Sequence, residues 1–210
     1  MTVLDVELDI FSQMKGLSII FDVGARMTED SSRIPSVVDY LTIKRRASYH
    51  LFEPNPNHYK KLVDNVKAKN VTINQFGLGD EEGKFMYREG TEAIEHGEAN
   101  EKGGDIEVGV KRLDKYCRSN GIIKVDFIKI DTEGYDYKVL LGAGDYLKNC
   151  KYIQYEHWDN KEQFHKLLKD FDIEYIGYRN VFCMNKALLS KVERDRLKKH
   201  IKVKGYAQLL

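Results

Sequence analysis

The segment with the most chemical information is an apolar run that ends in a group of acids. Residues 125–130 read Val-Asp-Phe-Ile-Lys-Ile, and Asp131, Glu133, Gly134 and Asp136 follow. A short run rich in β-branched residues predicts a buried strand of a parallel sheet. Open α/β sheets bind ligands at the carboxyl ends of their strands. We therefore expect the three acids in a crevice rather than in the core. The alternative is a strand that stops at a solvated acidic turn.

Three other predicted strands end in glycines, acids or prolines, and they stop at Asp22-Val-Gly24-Ala25, Glu53-Pro54 and Gly77-Leu-Gly79-Asp80. Glycine after a strand lets the backbone approach a ligand closely. An acid at the end of the second strand commonly accepts hydrogen bonds from ribose hydroxyls. Together the four strand ends predict a nucleoside-like ligand at one edge of a sheet.

Length and composition indicate one globular domain over residues 1–210. The chain has 210 residues, of which 42% are hydrophobic and 32% charged, and its formal net charge is +1. This charge gives no reason to expect nucleic acid or an acidic membrane as a partner. No apolar run approaches the roughly 20 residues that span a bilayer, and the acidic N-terminal segment lacks the basic region of a secretory signal. The 3 widely spaced cysteines suggest a reducing cytosol, so we expect a cytoplasmic location.

Strands and helices are predicted to alternate along the chain, as in a doubly wound sheet. The predicted helices cover 4–15, 36–44, 57–67, 113–120, 135–143, 160–170 and 190–200. The predicted strands cover 17–23, 48–53, 71–76, 84–87, 106–111, 125–130, 152–156, 174–178 and 181–184.

Three local features complete this prediction. Asn57 is expected to cap the third helix. Arg179 and Asn180 are expected to join the last two strands as a tight hairpin, which places an antiparallel element at the edge of the sheet. The polar stretch 88–105 interrupts the alternation, and we interpret it as a lid or an acceptor-binding insertion, with disorder as the alternative.

Four motifs, taken in chain order, resemble those of the FkbM-type methyltransferases, and they are Phe21-Asp-Val-Gly-Ala25, Leu51-Phe-Glu-Pro-Asn-Pro56, Phe127-Ile-Lys-Ile-Asp-Thr-Glu-Gly134 and Val139-Leu-Leu-Gly-Ala143. The third motif is the most specific. The resemblance implies an α/β Rossmann-like fold, with a seven-stranded, mostly parallel sheet, one antiparallel edge hairpin and helices on both faces. It also implies that S-adenosylmethionine is the cofactor and that a methyl group is transferred to a hydroxyl of a saccharide or another small metabolite.

The residues expected to bind the cofactor lie at the strand ends, and they are Asp22, Gly24, Ala25, Glu53, Pro54, Gly79, Asp80 and Asp131. Gly24 is assigned to the methionine end of the cofactor, and Glu53 to the ribose hydroxyls. Asp80 is assigned to the adenine amino group, although it can equally be an ordinary turn acid. Asp22 either orders the glycine loop or caps a helix.

Proton transfer is assigned to Asp131, Glu133 and His157. Asp131 is expected to face the sulfonium and the acceptor, where a carboxylate can orient a hydroxyl or take its proton. Glu133 can do the same or cap the next helix. His157 is the expected base, although a lone histidine in a turn is more often structural. Lys129 is either an ion-pair partner or an acceptor contact. Asp131, Glu133 and His157 could also bind a divalent metal, but their spacing is not diagnostic, so no metal ligand is assigned and metal dependence stays open.

Two residues depart from the family pattern. Arg26 stands where the family usually has Asn, and Thr28 stands where it usually has Gly. A side chain at position 28 would crowd the methionine part of the cofactor, whereas Arg26 can reach a carboxylate. The alternative function is therefore a weakened or inactive binding protein with the same fold. A nucleotide-dependent reductase is a third hypothesis, against which the sparse glycines argue. The acceptor and the oligomeric state stay open.

Overall fold

The computed structural model describes residues 3–26, 40–41, 43–87, 94–95, 106–157 and 161–203. Its helices are α1 Val3–Gln13, α2 Pro56–Asn65, α3 Leu113–Ser119, α4 Asp136–Ala143, α5 Lys161–Leu167 and α6 Lys191–Val203, with a 3-10 helix at Gly144–Asn149. Its strands are β1 Ile19–Val23, β2 Ser48–Phe52, β3 Val71–Asn74, β4 Gly77–Gly79, β5 Gly83–Tyr87, β6 Ile94–Glu95, β7 Ile106–Arg112, β8 Val125–Ile130, β9 Cys150–Glu156, β10 Phe171–Tyr175 and β11 Asn180–Asn185.

Several predicted features lie partly or wholly outside the described residues. They include most of the predicted helix at 36–44, Thr28, and all of the polar stretch 88–105 except β6. Of the helices that are described, none is both long enough and apolar enough to cross a membrane.

The main sheet has seven strands in the order β10-β11-β9-β8-β1-β2-β3. Strands β3, β2, β1, β8 and β9 run parallel, whereas β11 is antiparallel to both of its neighbours. This confirms the expected seven-stranded, mostly parallel α/β fold with a hairpin at one edge. The antiparallel strand itself lies second from the edge, because β11 pairs with β9 and β10 takes the outer place.

The last hairpin is not the tight two-residue turn that was predicted. Asn180 already belongs to β11, and the connection from β10 covers residues 176–179. The backbone N–H of Ile176 donates to the carbonyl of Asn180 at 3.0 Å, which closes this longer loop. Residues such as Tyr178 and Arg179 therefore project beyond the sheet at its carboxyl edge.

Helices cover both faces of the main sheet because side chains alternate along each strand. Ile128 and Ile130 of β8 belong to the core beneath α3, α4 and α5. Phe127 belongs to the core on the other face, which packs against α1 and α6. β8 is buried along its whole length, as its unbroken apolar run predicted.

A second, four-stranded sheet has the order β4-β7-β5-β6, and its residues Gly77, Leu78 and Tyr87 lie beside the carboxyl ends of the main sheet. The prediction that Gly77-Leu-Gly79 forms a turn is wrong, because these residues form β4 and pair in parallel with β7. Small residues are needed here for close packing. A Cβ on Gly142 of α4 would overlap the carbonyl of Gly79.

Helix α2 begins at Pro56, whereas the predicted helix began at Asn57. Asn55, not Asn57, is the cap, since the Asn55 side chain accepts a hydrogen bond from the Asn57 backbone N–H at 2.8 Å. Pro56 takes the first helical position, where its missing N–H has no cost. The cap holds the chain in place directly after β2. The backbone N–H of Asn55 also donates to Glu53 Oε1, so the cap residue helps to position the Glu53 side chain.

Candidate active site

The carboxyl ends of β1, β2 and β8 meet at one crevice, which has about 610 Å³ of empty space, part of it open to solvent. The residues that line it come from these strand ends, from helix α2 and from the second sheet. They are Val23, Gly24, Arg26, Phe52, Glu53, Pro54, His58, Gly77, Leu78, Tyr87, Asp131, Thr132 and Glu133. The crevice thus brings together five of the residues that were assigned to cofactor binding or proton transfer: Gly24, Glu53, Pro54, Asp131 and Glu133.

Gly24 allows the ends of β1 and β8 to touch. Its φ is +82°, in the left-handed region that favours glycine, and its N–H donates to the carbonyl of Phe52 at 3.0 Å. A Cβ at this position would overlap the carbonyl oxygen of Asp131. The neighbouring Ala25 is buried and donates its N–H to the same Phe52 carbonyl at 3.2 Å. The turn therefore holds bare backbone at the wall of the crevice.

Glu53 is a buried acid at the end of β2. It is 4% exposed, and its Oε1 accepts a hydrogen bond from the backbone N–H of Asn55 at 2.8 Å. Burial raises the pKa of Glu53 to about 7, although the Asn55 hydrogen bond and the charge of Arg26 act in the opposite direction. A buried carboxylate in this place is well suited to accept hydrogen bonds from ligand hydroxyls.

Lys129 links two acids at the crevice. It is 3% exposed, and its Nζ lies 3.0 Å from Asp131 Oδ2 and 4.0 Å from Asp22 Oδ1. Burial alone would lower the pKa of Lys129, but the charges of Asp131 and Asp22 outweigh it, so the pKa lies well above its ordinary value. Lys129 is therefore an ion-pair partner that holds Asp131 from the buried side of the crevice.

Asp22 has one oxygen that accepts no hydrogen bond from the described residues, although the Lys129 ammonium lies 4.0 Å away. The residue is 6% exposed, and Oδ1 is buried without a hydrogen-bond partner among the described residues. Burial raises the pKa of Asp22, and the negative charge of Asp131 adds to this effect. An unsatisfied buried acceptor is costly, and a cationic ligand group would relieve that cost.

The turn after β8 contains a strained residue. Glu133 has a φ of +52°, and it is the one non-glycine residue with positive φ in the described part of the chain. Such a conformation costs on the order of 1–3 kcal/mol and is found most often at functional sites. Glu133 is exposed at the mouth of the crevice, where partial desolvation and the charge of Asp131 raise its pKa.

Asp136 anchors this turn from the core, so the expectation that it lies in the crevice is wrong. It is 1% exposed, and its Oδ2 accepts from the backbone N–H of Thr132 at 3.1 Å. Its Oδ1 accepts from the backbone N–H of Glu156 at 2.8 Å. Burial raises the pKa of Asp136 to about 6, against the effect of these hydrogen bonds. The carboxylate joins the ends of β8 and β9.

Glu156 and His157 end on opposite faces of the sheet. Glu156 shares the face of Gln154, which pairs with Lys129 in the adjacent strand. Burial and the charges of Asp131, Asp136 and Glu133 raise the pKa of Glu156 to about 7. His157 is 3% exposed and packs edge-on against Tyr175, with 5.8 Å between ring centroids. Glu156 is therefore the neighbour of Asp131 in charge, whereas His157 packs on Tyr175. The assignment of the base to His157 stays a prediction.

The third predicted strand end reaches the crevice only in part, because Gly77 and Leu78 line it and Gly79 and Asp80 do not. Gly79 is buried in β4, next to the side chains of Tyr135 and Val110. The carbonyl of Asp80 accepts from Arg112 at 2.6 Å, and its Oδ1 is buried without a hydrogen-bond partner among the described residues. The assignment of Asp80 to the adenine amino group stays a prediction, and the free Oδ1 is compatible with it.

Glu7 is a site residue that the sequence analysis missed. It is 5% exposed, and its electrostatic neighbours include Lys129, Asp131 and Asp22. A signal existed, because Glu7 lies on the apolar stripe of α1 with Ile10, three residues on. An acid on an apolar stripe needs a buried polar partner.

The described side chains fit the S-adenosylmethionine that the resemblance implies. Asp22 offers an unsatisfied buried acceptor for a cationic group, Gly24 offers close backbone, and Glu53 offers a buried acceptor for hydroxyls. No group of three or more His, Cys, Asp or Glu side chains that could hold a metal ion occurs in the described part of the chain.

Comparison with known proteins agrees with this geometry. The sequence profile of the methyltransferase FkbM domain matches residues 22–179. The 2-O-methyltransferase NoeI of Sinorhizobium fredii is 21% identical over 162 residues, which cover 68% of this chain and 64% of that protein. The hexuronic acid methyltransferase AglP of Haloferax volcanii is 23% identical over 110 residues, which cover 51% of this chain and 46% of that protein. The chain thus spans less than two thirds of the length of these relatives.

A solved structure shares the fold. The crystal structure of methyltransferase FkbM from Methylobacillus flagellatus superposes with a TM-score of 0.51 at 14% identity, covering 83% of this chain and 47% of that one. The profile match extends over most of the chain and includes Gly24, Glu53, Asp131 and Glu156. The chain belongs to the FkbM methyltransferase domain family.

Proposed function

We propose that this chain is an S-adenosylmethionine-dependent O-methyltransferase that acts on a hydroxyl of a saccharide or a similar small metabolite. The observation that carries this proposal is the crevice in which Gly24, Glu53 and Asp131 meet at three neighbouring strand ends. The family supports methyl transfer, and the names of NoeI and AglP support oxygen and sugar acids as acceptors in relatives. In this proposal residues 1–210 form one domain, and the stretch 88–105 helps to select the acceptor.

Three residues are proposed to hold the cofactor. Glu53 accepts hydrogen bonds from the ribose hydroxyls, and Asp22 receives the ammonium of the methionine part at its unsatisfied Oδ1. Gly24 lets the backbone lie against the same part of the molecule. When bound, S-adenosylmethionine supplies an electrophilic methyl group on a sulfonium. The protein must then hold the acceptor hydroxyl in line with that group, which supplies much of the rate gain through positioning.

Two carboxylates are proposed to handle the acceptor proton. Asp131 is held by the ammonium of Lys129 and orients the acceptor hydroxyl at the crevice. Glu156 takes the hydroxyl proton, because a pKa of about 7 is well matched to base catalysis near neutral pH. Glu133 contacts the acceptor at the crevice mouth, where its strained backbone is a functional feature. His157 is proposed to support the β9 end by packing on Tyr175.

The proposed location is the cytoplasm, and the proposed partners are the cofactor and a small acceptor, with no nucleic acid. Cys117, Cys150 and Cys183 are buried and free, as expected for a protein from a reducing compartment. Burial raises the pKa of Cys117 to about 12, so this thiol is unreactive.

Calorimetry with S-adenosylmethionine and S-adenosylhomocysteine tests the cofactor part of this proposal. We expect one site per chain, and we expect Glu53→Ala to weaken it by roughly 10- to 100-fold, the effect of losing hydrogen bonds to a charged group. Glu162→Gln, at an exposed position of α5, is the control and should bind as the wild type does. Absence of binding by the wild type at millimolar cofactor would refute the proposal.

The second candidate function is a binding module without catalysis. It is favoured by Arg26, which lines the crevice and whose charge acts on both Glu53 and Glu133. A guanidinium in this position could itself occupy part of the cofactor site. Arg26→Asn introduces the residue that is usual in the family at this position. If this variant binds the cofactor and the wild type does not, the chain is a binding module without catalysis.

A further inference from the structure

A network of buried polar groups lies beneath the crevice, on the face of the sheet that packs against α1. Asp22, Lys129 and Gln154 occupy matched positions on β1, β8 and β9. Helix α1 adds Glu7, which is 5% exposed and hydrogen-bonds to the side chain of Gln154. Glu7 precedes residue 22, at which the family match begins. A helix outside the matched segment therefore contributes an acid to the site.

The charges in this network do not balance. Glu7, Asp22 and Asp131 contribute three carboxylates, and Lys129 contributes one ammonium, so full ionisation would leave a net charge of −2. Uncompensated charge in a buried region is costly, and coupled acids respond by retaining protons. The groups that face Glu7 are Lys129, Asp131, Asp22, Gln154 and the buried hydroxyl of Tyr40.

The Tyr40 hydroxyl does not relieve this imbalance. It is buried, and it has no hydrogen-bond partner among the described residues. Asp22 Oδ1 is in the same condition. The ammonium that both cofactors carry, placed at Asp22 Oδ1 as proposed above, would still leave three carboxylates against two positive charges. One further positive charge near Asp131 would balance the network.

Glu7 can respond to such a charge near neutral pH. Burial raises the pKa of Glu7 to about 7, and Lys129 opposes the rise. Asp131 connects the network to the crevice, since it both lines the crevice and pairs with Lys129. A positive charge beside Asp131 acts on Glu7 through a region of low dielectric, where charges interact more strongly than in water.

We propose that Glu7 is a specificity-determining residue that favours S-adenosylmethionine over S-adenosylhomocysteine, an inference that rests on the proposed function. The substrate cofactor carries a sulfonium charge, whereas the product is a neutral thioether because its sulfur has lost the methyl group. Glu7 releases its proton to solvent when the sulfonium binds. It takes a proton from solvent after methyl transfer, so the network attracts the product through the ammonium alone, and the product leaves more readily than the substrate.

Calorimetry of the full chain in two buffers with different ionisation enthalpies measures this proton release. At pH 7 a group with a pKa of about 7 is half protonated, so the wild type should release up to about half a proton more with S-adenosylmethionine than with S-adenosylhomocysteine. Affinity for S-adenosylmethionine should rise on the order of 3- to 10-fold between pH 6 and pH 8 through this linkage. Glu7→Gln should lose the Glu7 share of both effects, whereas the exposed Glu162→Gln should retain them.

The outcomes separate the inference from the proposed function. If both cofactors bind and Glu7→Gln releases as many protons as the wild type, the inference is wrong and the proposed function stands. If neither cofactor binds to the wild type, the proposed function fails and the inference fails with it. Glu7→Met, which is also neutral and of similar volume, repeats the test should Glu7→Gln fold poorly.

A second readout needs no cofactor. The pKa of Glu7 is raised in the folded state. The stability that Glu7 contributes is therefore fully present below about pH 4.5 and is lost as the pH rises through about 7. Glu7→Gln has no acid that titrates at this position. Its melting temperature should therefore fall less between pH 5 and pH 8 than that of the wild type. An unchanged pH dependence in Glu7→Gln contradicts the inference.

Discussion

Gly24 is the residue on which the crevice depends most directly. Its φ is positive and its backbone lies against the carbonyl of Asp131, so a residue with a Cβ does not fit at this position. We expect Gly24→Ala to weaken cofactor binding by at least roughly 100-fold and to destabilise the fold by on the order of 1–3 kcal/mol. Calorimetry and thermal unfolding measure these effects. Gly83→Ala is the matched control, since its Cβ would meet Phe85 at an ordinary 3.6 Å. Normal cofactor affinity in Gly24→Ala would contradict the site.

Glu156 and His157 make different predictions for the pH–rate profile. If Glu156 is the base, kcat/KM rises as this acid ionises, with a limb near its pKa of about 7. Glu156→Gln should lower turnover by about 10²- to 10⁴-fold, leave cofactor affinity nearly unchanged, and remove this limb. His157→Gln should change turnover much less, because its ring packs on Tyr175. A larger loss of turnover in His157→Gln than in Glu156→Gln would restore the sequence-based assignment.

Sequence reasoning at this scale identified acids at strand ends but not their directions. Glu53 and Asp131 could be selected because each directly follows an apolar run. Choosing Glu156 over its neighbour His157 needs the register of β9 against β8, since adjacent residues of a strand face opposite sides. Asp136 lies too close to the helix start for its inward direction to be read from the sequence. Its burial depends on the position of β9, which is a tertiary feature.

At the scale of elements, the turn between β8 and α4 is held by a single buried carboxylate. Asp136 accepts hydrogen bonds from Thr132 on one side and from the Glu156 backbone on the other. We expect Asp136→Asn to destabilise the fold by about 1–3 kcal/mol, because an amide nitrogen would then face a backbone N–H. It should also weaken cofactor binding by releasing the Thr132–Gly134 turn. Asp145→Asn, at an exposed acid, should do neither.

Thermal unfolding and calorimetry check this prediction together. A loss of stability without any loss of cofactor affinity would show that the turn does not shape the crevice. An unchanged melting temperature would show that the two hydrogen bonds contribute little.

Most elements were predicted from periodicity, and the errors arose where packing overrides local pattern. The Gly77–Gly79 segment has the composition of a turn, yet it forms β4 because it pairs with β7, where Val110 lies opposite Gly77. Asn55 and Asn57 are both good caps by residue type, and Pro56 decides between them by requiring the first helical position. The predicted hairpin loop was too short because Arg179-Asn180 resembles a turn, whereas Asn180 already pairs with Glu156 of β9.

At the scale of the whole molecule, the buried acids make stability depend on pH. Burial raises the pKa of Glu7, Glu53 and Glu156 to about 7 in the folded state, from an ordinary value of 4.5. Their contribution to stability is therefore present below about 4.5 and is lost as pH rises through about 7. Asp172 acts in the opposite sense: burial alone would raise its pKa, but the ion pairs with Lys198 and Arg194 lower it. Its contribution is lost in acid.

The melting temperature of the cofactor-free protein should accordingly be highest between about pH 4.5 and pH 6. We expect it to fall by at least about 2–4 °C towards pH 8, the shift that 1 kcal/mol produces in a domain of this size. Scans in buffers from pH 4 to pH 9 measure this, and the Glu156→Gln variant should show a smaller fall. A melting temperature that rises steadily from pH 5 to pH 8 would mean that these acids are not buried as described.

Transfer of a labelled methyl group tests the central claim most directly. The full chain is incubated with methyl-labelled S-adenosylmethionine and a panel of neutral sugars, hexuronic acids and their oligosaccharides, beside Asp131→Asn and the exposed control Glu162→Gln. We predict label on a hydroxyl oxygen of at least one saccharide, with one S-adenosylhomocysteine formed per methyl transferred. Asp131→Asn should reduce the rate by at least roughly 100-fold, and Glu162→Gln should not. Transfer that is equally fast in Asp131→Asn, or label that enters no acceptor although the cofactor binds, would contradict the account.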